Sequence, residues 1–451
     1  MKVIIVGCGK VGATIAEQLV EEGHDIAVID MNNEVIQDIT NSIDVLGVVG
    51  NGASYSIQKE AGIEEADLLI AVTGSDEQNL LCCLFAKKVG NCSTIARVRN
   101  PLYSHEIGYI KDELGLSMVI NPEFAAATEI ARLLRFPSAD KIDTFAKGRV
   151  EILKFVVHEG SVLEGYSLME IGRKLNSGIL FCAVERKDEV VIPRGDFVIQ
   201  GNDVVSIVAS PKDAKTFFEK IGVETHQVKD ALIVGGGTIA YYLAEQLLSM
   251  GIHVKIIEKD TERCEVLSEL LPEAVIIHGD ATNHDILMEE GIENAEAFVS
   301  LTGLDEGNVF LSLYAQSCSK AKIVTKINRI SFEDVVAKFQ LGSLIYPKHI
   351  TAEYIIRYVR AMQNSVGSNV ETMYRLIGNK VEALEFRIRE ESVVVGKPIM
   401  ELKLKKNILV ACINHKGKII RPNGQTKIHV GDTVIIVTTQ QGLRDINDIV
   451  E

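Results

Sequence analysis

The sequence predicts an α/β protein in which a doubly wound parallel sheet is followed by a small α+β lobe, and the pair is written twice in tandem. Three observations carry this. Glycine turns of one pattern occur at Val6–Gly12 (VGCGKVG) and at Val234–Ala240 (VGGGTIA). The segments around them repeat at a shift of 228 or 229 positions over nearly the whole chain of 451 residues. Within each repeat, short apolar runs alternate with helical patterns and then give way to a β-rich stretch, the order expected of a parallel sheet with a separate appended lobe.

Taken in order, VIIVG reads as a strand, VGATIAEQLVEEG as a helix ending at Gly23, and DIAVID as a strand. VLGVVG, LLIAVTG and STIARVRN read as the next strands. Short apolar runs bounded by turns and separated by helices fit strands buried on both faces. After Asn100 come a helical stretch, the apolar SMVINP, and a helix EFAAATEIARLLRF that stops before Pro137, since proline cannot continue a helix. From about Asp140 the chain turns β-rich, with VEILKFVV, ILFCAVER, EVVIP and DVVSIVAS around one amphipathic helix, SLMEIGRKLN. The second repeat follows the same scheme, with AEYIIRYVRAMQ as its connecting helix and VEALEFRI opening its lobe. The expected domains are 1–138, 139–227, 228–366 and 367–451, with boundaries near Ser138 and Gly367. The helices Glu123–Phe136 and Ala352–Gln363 join sheet to lobe and are candidate levers.

The repeat is specific. Asp30 and Glu258 are 228 positions apart, as are Ala53 and Ala281. EAGIEEADLLIAVTGSDEQN (from Glu60) matches EEGIENAEAFVSLTGLDEGN (from Glu289) at 229, and Asp203 aligns with Asp432 at the same shift. A second glycine turn thus comes from copying a whole unit, and a unit has no room for a separate catalytic domain of ordinary size.

A formal charge of −15 argues against nucleic acid, whose phosphates need a basic face. Anionic lipid would be repelled for the same reason, so any membrane role runs through a protein. The eight cysteines form no CxxC pair and read as buried, reduced thiols of a cytosolic protein. None of the ten histidines sits at metal spacing with a cysteine, and His278 and His284 are isolated, so no metal site is expected. The N-terminus enters a strand directly, without a signal peptide, and no apolar run approaches the ~18 residues of a spanning helix. The expected address is the cytoplasm.

The first turn, Gly7, Cys8, Gly9, Lys10, Val11 and Gly12, follows a strand and opens a helix. In this setting Gly7 permits the tight exit, Gly9 lets the backbone approach a pyrophosphate and Gly12 allows close helix–strand packing. The helix N-terminus offers N–H groups and a positive dipole end to phosphate. Asp30 ends the second strand, where a carboxylate can accept from both ribose hydroxyls and repel a 2′-phosphate; this favours NAD(H) over NADP. ATP or ADP would satisfy the same turn. The loop after the third strand, with Asn51 and Gly52, lies beside the adenine in such folds, and Thr73 closes the fourth strand at the same edge.

The second turn, Gly235, Gly236, Gly237, Thr238, Ile239 and Ala240, keeps the pattern, with Glu258 for Asp30, and Gly279 and Asp280 in the adenine-side loop. Its cations diverge: Lys10 becomes Thr238, Arg97 becomes Lys326 and Arg99 becomes Asn328. The first site, with Lys10 and Arg99, is expected to hold more phosphate charge. Asp76–Glu77 and Asp305–Glu306 read as first turns of helices, where acids complement the dipole. No catalytic constellation emerges. A hydride-transfer enzyme would need a pocket with an acid/base, usually His or Lys, so an NAD-dependent oxidoreductase is the alternative reading. Asp196, Asp203 and Asp432 are starting points for a further effector or ion in the lobes.

With VGCGKVG, VTGSDEQN and ARVRNPLY in this duplicated order, the chain resembles the TrkA family along essentially its whole length. The resemblance implies two Rossmann-like RCK (KTN) N-terminal domains, each followed by an RCK C-terminal lobe. It implies a cytoplasmic, NAD-binding regulatory subunit, peripheral at the inner face of the cell membrane. Such a subunit forms a homo-oligomeric ring, a dimer or tetramer of chains, under a Trk-type potassium-translocating membrane subunit. NAD(H) or ATP would bias the ring's shape. The family's nucleotide positions fall on Gly7, Gly9, Gly12 and Asp30, and on Gly235, Gly237 and Glu258; the second turn lacks the third glycine and any cation.

Overall fold

The computed structural model describes the chain except for residues 91, 105, 138, 140, 146–148, 188, 224–226, 329–338, 340, 365–369, 377–379, 441 and 444. The expected boundaries at Ser138 and Gly367, and the start of the lobe at Asp140, lie outside the described residues.

Strands β1 (Lys2–Val6), β2 (Asp25–Asp30), β3 (Leu46–Val49), β4 (Leu68–Ala71), β5 (Ser93–Arg97) and β6 (Met118–Ile120) pair in parallel in the order β3-β2-β1-β4-β5-β6. β4 is buried along its whole length, which is why it reads as a continuous apolar run rather than an alternating one. The strand order reverses between β1 and β4, and ligands of such sheets lie in the crevice outside the carboxyl ends at that point.

The following lobe is an antiparallel sheet of β7 (Lys141–Phe145), β8 (Val150–Val156), β9 (Leu180–Arg186), β10 (Glu189–Val191) and β11 (Val204–Ala209), ordered β10-β9-β11-β8-β7. Its helix Leu168–Leu175 starts at a capping box: Ser167 accepts from the Glu170 N–H and the Glu170 carboxylate accepts from the Ser167 N–H.

The second repeat gives β12 (Asp230–Val234), β13 (His253–Glu258), β14 (Val275–His278), β15 (Ala297–Ser300), β16 (Lys322–Lys326) and β17 (Ser343–Ile345), ordered β14-β13-β12-β15-β16-β17. Its lobe has β18 (Val370–Leu376), β19 (Val381–Arg387), β20 (Ile408–His415), β21 (Lys418–Ile420) and β22 (Thr433–Thr438), ordered β18-β19-β22-β20-β21. Two features differ from expectation. Each lobe opens one strand earlier, with β7 and β18, whose mixed sequences KIDTF and VETMYRL hide a strand. In the second lobe the amphipathic helix shrinks to a 3₁₀ turn at Ile399–Glu401, where Pro398 stands as cap without a side-chain bond.

Contacts group the chain across the repeat rather than along it. One unit comprises Met1–Ala131 and Lys229–Tyr358, the other Arg132–Val228 and Val359–Glu451. The first unit holds both parallel sheets, and Tyr242 of the second repeat is buried against Phe124 of the first, with ring centroids 5.5 Å apart. The second unit holds both lobes around a shared core in which Phe145, Ile152 and Cys182 pack with Ala383, Cys412 and Ile435. The chain passes between units three times, within the helices Pro122–Arg135 and Pro347–Asn364 and between Val228 and Lys229. Among the described residues, no helix is long and apolar enough to cross a membrane. All eight cysteines are free thiols and seven are buried.

Candidate functional site

At the carboxyl edge of the first sheet, the glycines behave as their positions require. Gly7 has φ +95°, and a Cβ there would stand 2.8 Å from the Thr73 nitrogen. A Cβ on Gly12 would meet the Gly7 carbonyl oxygen at 1.9 Å, so only glycine lets the helix start under the turn. Gly9 is different: nothing lies within 4 Å of a Cβ built on it. It caps the helix Lys10–Glu21, which carries no side-chain cap, so no side chain competes for the first N–H groups. That is the arrangement that accepts an anion.

Asp30 has a task that the sequence did not reveal. Its carboxylate accepts from the Cys8 N–H at 2.7 Å and from the Asn32 N–H at 2.9 Å, so it clamps the turn itself. An ionised carboxylate has about four lone-pair sites, and two remain for ligand hydroxyls. Beside it, burial followed by the Asp30 charge pushes the Cys8 thiol up to about 12, so this thiol is no nucleophile near neutral pH.

The neighbouring loops are braced from below. Asn79, fully buried, accepts from the Thr73 N–H at 2.8 Å and hydroxyl at 2.7 Å, and donates to the Arg97 carbonyl at 2.9 Å. Asp76 opens the helix Asp76–Val89 and accepts from the Arg99 and Asn100 N–H groups, each at 2.8 Å. It therefore serves as a helix-start and loop anchor. The Arg99 guanidinium donates to the Gly74 carbonyl at 2.6 Å, which lays it along the loop after β4. Asn51 accepts from the Ala53 N–H and from the Gln78 amide. Gly52 abuts Val6, since a Cβ would stand 2.1 Å from a Val6 methyl.

The second turn reproduces this frame with different flanks. Gly235 has φ +96°, Gly237 is open and Ala240 is buried. Glu258 accepts from the Gly236 N–H at 2.5 Å and from the Lys259 and Asp260 N–H groups at 2.8 and 2.9 Å. Thr302 and Asn308 repeat the Thr73–Asn79 brace at 2.9 and 2.7 Å. Asp280 accepts from the Thr282 N–H and hydroxyl, and a Cβ on Gly279 would press on Ile286. Thr238 and Ile239 open the helix Thr238–Ser249. The sequence missed one cation here: Arg263 donates through Nε to the Gly236 carbonyl at 2.6 Å. It belongs to the helix Thr261–Leu270 and has no counterpart in the turn motif itself. The second turn therefore does have a cation beside it, tied to its backbone.

Between the two sheets lies a cavity of about 260 Å³ whose lining includes Lys10, Arg97 and Glu123 from one repeat and Asp305, Glu306 and Lys348 from the other. Burial, then the Arg99 charge, lowers the Arg97 pKa. Burial raises that of Glu123 against the pull of Arg97. The first glycine-turn helix thus opens onto a space lined by both repeats.

Models of the TrkA-N domain match residues 3–122 and 231–347, and models of the TrkA-C domain match 152–222 and 383–450. The Trk system potassium uptake protein TrkA of Halomonas elongata is 32% identical over 450 residues, covering 99% of this chain and 98% of that one. TrkA homolog 1 of Methanosarcina mazei is 30% identical over 444 residues, 97% of each chain. Among solved structures, the GsuK channel bound to NAD superposes with a TM-score of 0.63 at 18% identity, over 98% of this chain and 77% of that one. GsuK bound to ADP gives 0.52 at 15% identity, over 81% of this chain and 69% of that one; both show a shared fold. By both domain types, each matched twice, and by its full-length relatives, the chain belongs to the TrkA family of Trk potassium uptake proteins.

Proposed function

We propose that this regulatory protein of Trk-type potassium uptake binds nucleotide at both glycine turns and converts the bound species into a change in potassium flux through a membrane partner. The observation that carries the reading is the open, uncapped helix start at Gly9 beside a carboxylate, Asp30, with acceptor sites to spare. The residues fit NAD(H). Gly7, Cys8, Gly9, Lys10, Val11 and Gly12 would face the pyrophosphate and Asp30 the adenosine ribose, with Asn51, Gly52, Thr73 and Arg99 around them. Gly235 to Ala240, Glu258, Gly279 and Asp280 would do the same in the second repeat. ATP and ADP offer the same ribose and diphosphate, and GsuK has been seen with NAD and with ADP.

A nucleotide can drive a mechanical change only by binding two conformations unequally. The chain acts here as an effector-reading ring component and performs no turnover. It assembles as a dimer or tetramer of chains at the inner face of the membrane, held there by its partner. Sheet and lobe domains divide near residues 138, 227 and 366. Because each unit mixes both repeats, the sites are best separated by point variants of the full chain. Calorimetric titration of NAD, NADH, ATP and ADP into wild type, Asp30→Ala and Glu258→Ala tests the binding. Steady NADH oxidation by the purified chain with a small substrate would favour the oxidoreductase instead.

A further inference from the structure

The two lobes repeat one another strand for strand, and one buried carboxylate holds the same place in each. In the first lobe, Asp203 accepts two bonds from the Arg186 guanidinium, both at 2.7 Å, and one from the Gln200 N–H at 2.8 Å. At a shift of 229, Arg186 becomes His415, Gln200 becomes His429 and Asp203 becomes Asp432. Asp432 is 1% exposed and accepts from the His429 N–H at 2.8 Å. His415 Nδ1 lies 2.6 Å from one of its oxygens and His429 Nδ1 3.7 Å from the other.

The exchange changes the chemistry. A guanidinium is a permanent cation with no lone pair to give, whereas an imidazole can donate one. The first lobe neutralises its buried carboxylate with a fixed charge. Among the described residues, the ion-pair partners of Asp432 are the two histidines, and burying an ionised carboxylate without a firm counter-charge is costly. A divalent cation would supply that charge. The three ligand atoms lie within 4.8 Å of one another. Around a tetrahedral ion with bonds of about 2.0–2.2 Å, ligand atoms stand about 3.3–3.6 Å apart, so the three groups are close enough to converge on one ion with small side-chain adjustments. His415 and His429 are 34% and 55% exposed, so the ligand side is open to solvent while the carboxylate is fixed from within.

We propose that His415, His429 and Asp432 form a divalent-cation site in the second lobe that the first lobe has replaced with an internal ion pair. Two imidazoles and one carboxylate select a late first-row ion of the zinc class over magnesium or calcium, which prefer oxygen ligands. Three protein ligands leave a fourth position for water. Spacing rules miss the site because strand pairing, rather than sequence proximity, brings His415 to Asp432.

The test uses the full chain, stripped with chelator and titrated with Zn²⁺ by calorimetry, with Co²⁺ absorption as a second readout of tetrahedral ligation. One equivalent should bind, and millimolar Mg²⁺ or Ca²⁺ should not displace it. His415→Arg and His429→Gln, which install the first lobe's own residues, should each weaken binding by more than about tenfold while leaving the fold intact by circular dichroism. His429→Gln, at the more exposed position, carries the test if His415→Arg misfolds. A wild-type chain that binds no zinc stoichiometrically would overturn the assignment. So would one equivalent retained at full affinity in the variants.

Discussion

The Tyr242 hydroxyl donates to the Arg99 carbonyl at 3.2 Å, so the second repeat holds the backbone of the first in the loop after β5, at the carboxyl edge of its sheet. The Tyr242 hydroxyl oxygen in turn accepts from the Asn121 amide at 2.9 Å. Tyr242→Phe keeps the ring packing and removes both bonds, leaving buried polar groups without this partner. Stability should fall by ~1–3 kcal/mol, read as a lower urea midpoint with an unchanged slope. An unmoved midpoint would mean that the contact contributes nothing.

Asp30→Ala should weaken NAD binding by ~1–3 kcal/mol, because the ribose loses a charged acceptor and the Cys8 N–H loses its clamp. Asp30→Asn separates the two, since an amide oxygen can still accept from the Cys8 N–H but carries no charge. Unchanged affinity in both variants, by calorimetry, would remove Asp30 from the site. Glu258→Ala should behave alike if the second turn is occupied.

Terminal phosphate charge should matter more at the first turn than at the second. In a Glu258→Ala background, Lys10→Ala and Arg99→Ala should each lower the ratio of ATP to ADP affinity. An identical ratio in all three chains would contradict the expectation.

Glu123 supplies a pH signature. Burial holds its carboxyl above the usual carboxylate range, so the native state binds this proton more tightly than the unfolded chain does. Its contribution is fully present below the unfolded pKa and is lost as pH rises through the raised one. Glu123→Gln should therefore gain thermal stability over wild type at about pH 8 relative to about pH 5. A difference that is the same at both pH values would refute this.

Potassium flux through proteoliposomes carrying the membrane subunit should depend on this protein and on the nucleotide supplied. A coupling of ~1–3 kcal/mol would change the open population roughly five- to 150-fold. Flux indifferent to both would overturn the gating role.

The parallel sheets were legible because buried strands such as Leu68–Ala71 are apolar throughout, and the turns because Gly7 and Gly12 have local steric jobs. The acids at Asp76 and Asp305 were legible as helix starts for the same local reason. What was hidden depends on tertiary approach. Arg263 reaches Gly236 from a neighbouring helix, Glu123 and Lys348 line one cavity only when the repeats pack, and β7 is masked by its mixed residues. The histidine pair at Asp432 could have been found by aligning the repeats residue by residue and asking what replaced Arg186.

The shared core of the lobes bears on how such a chain can be inherited. Cys182 and Ala183 of one copy are sealed by Ala411 and Cys412 of the other. A stop codon between the copies would leave a half-length product with a dry face turned to water, and that product's cheapest remedy is a twin of itself. The fused gene thus fixes a stoichiometry that separate halves would have to reach by collision. Once fused, the copies were free to drift apart in their ligands while remaining bound to each other's fate in folding.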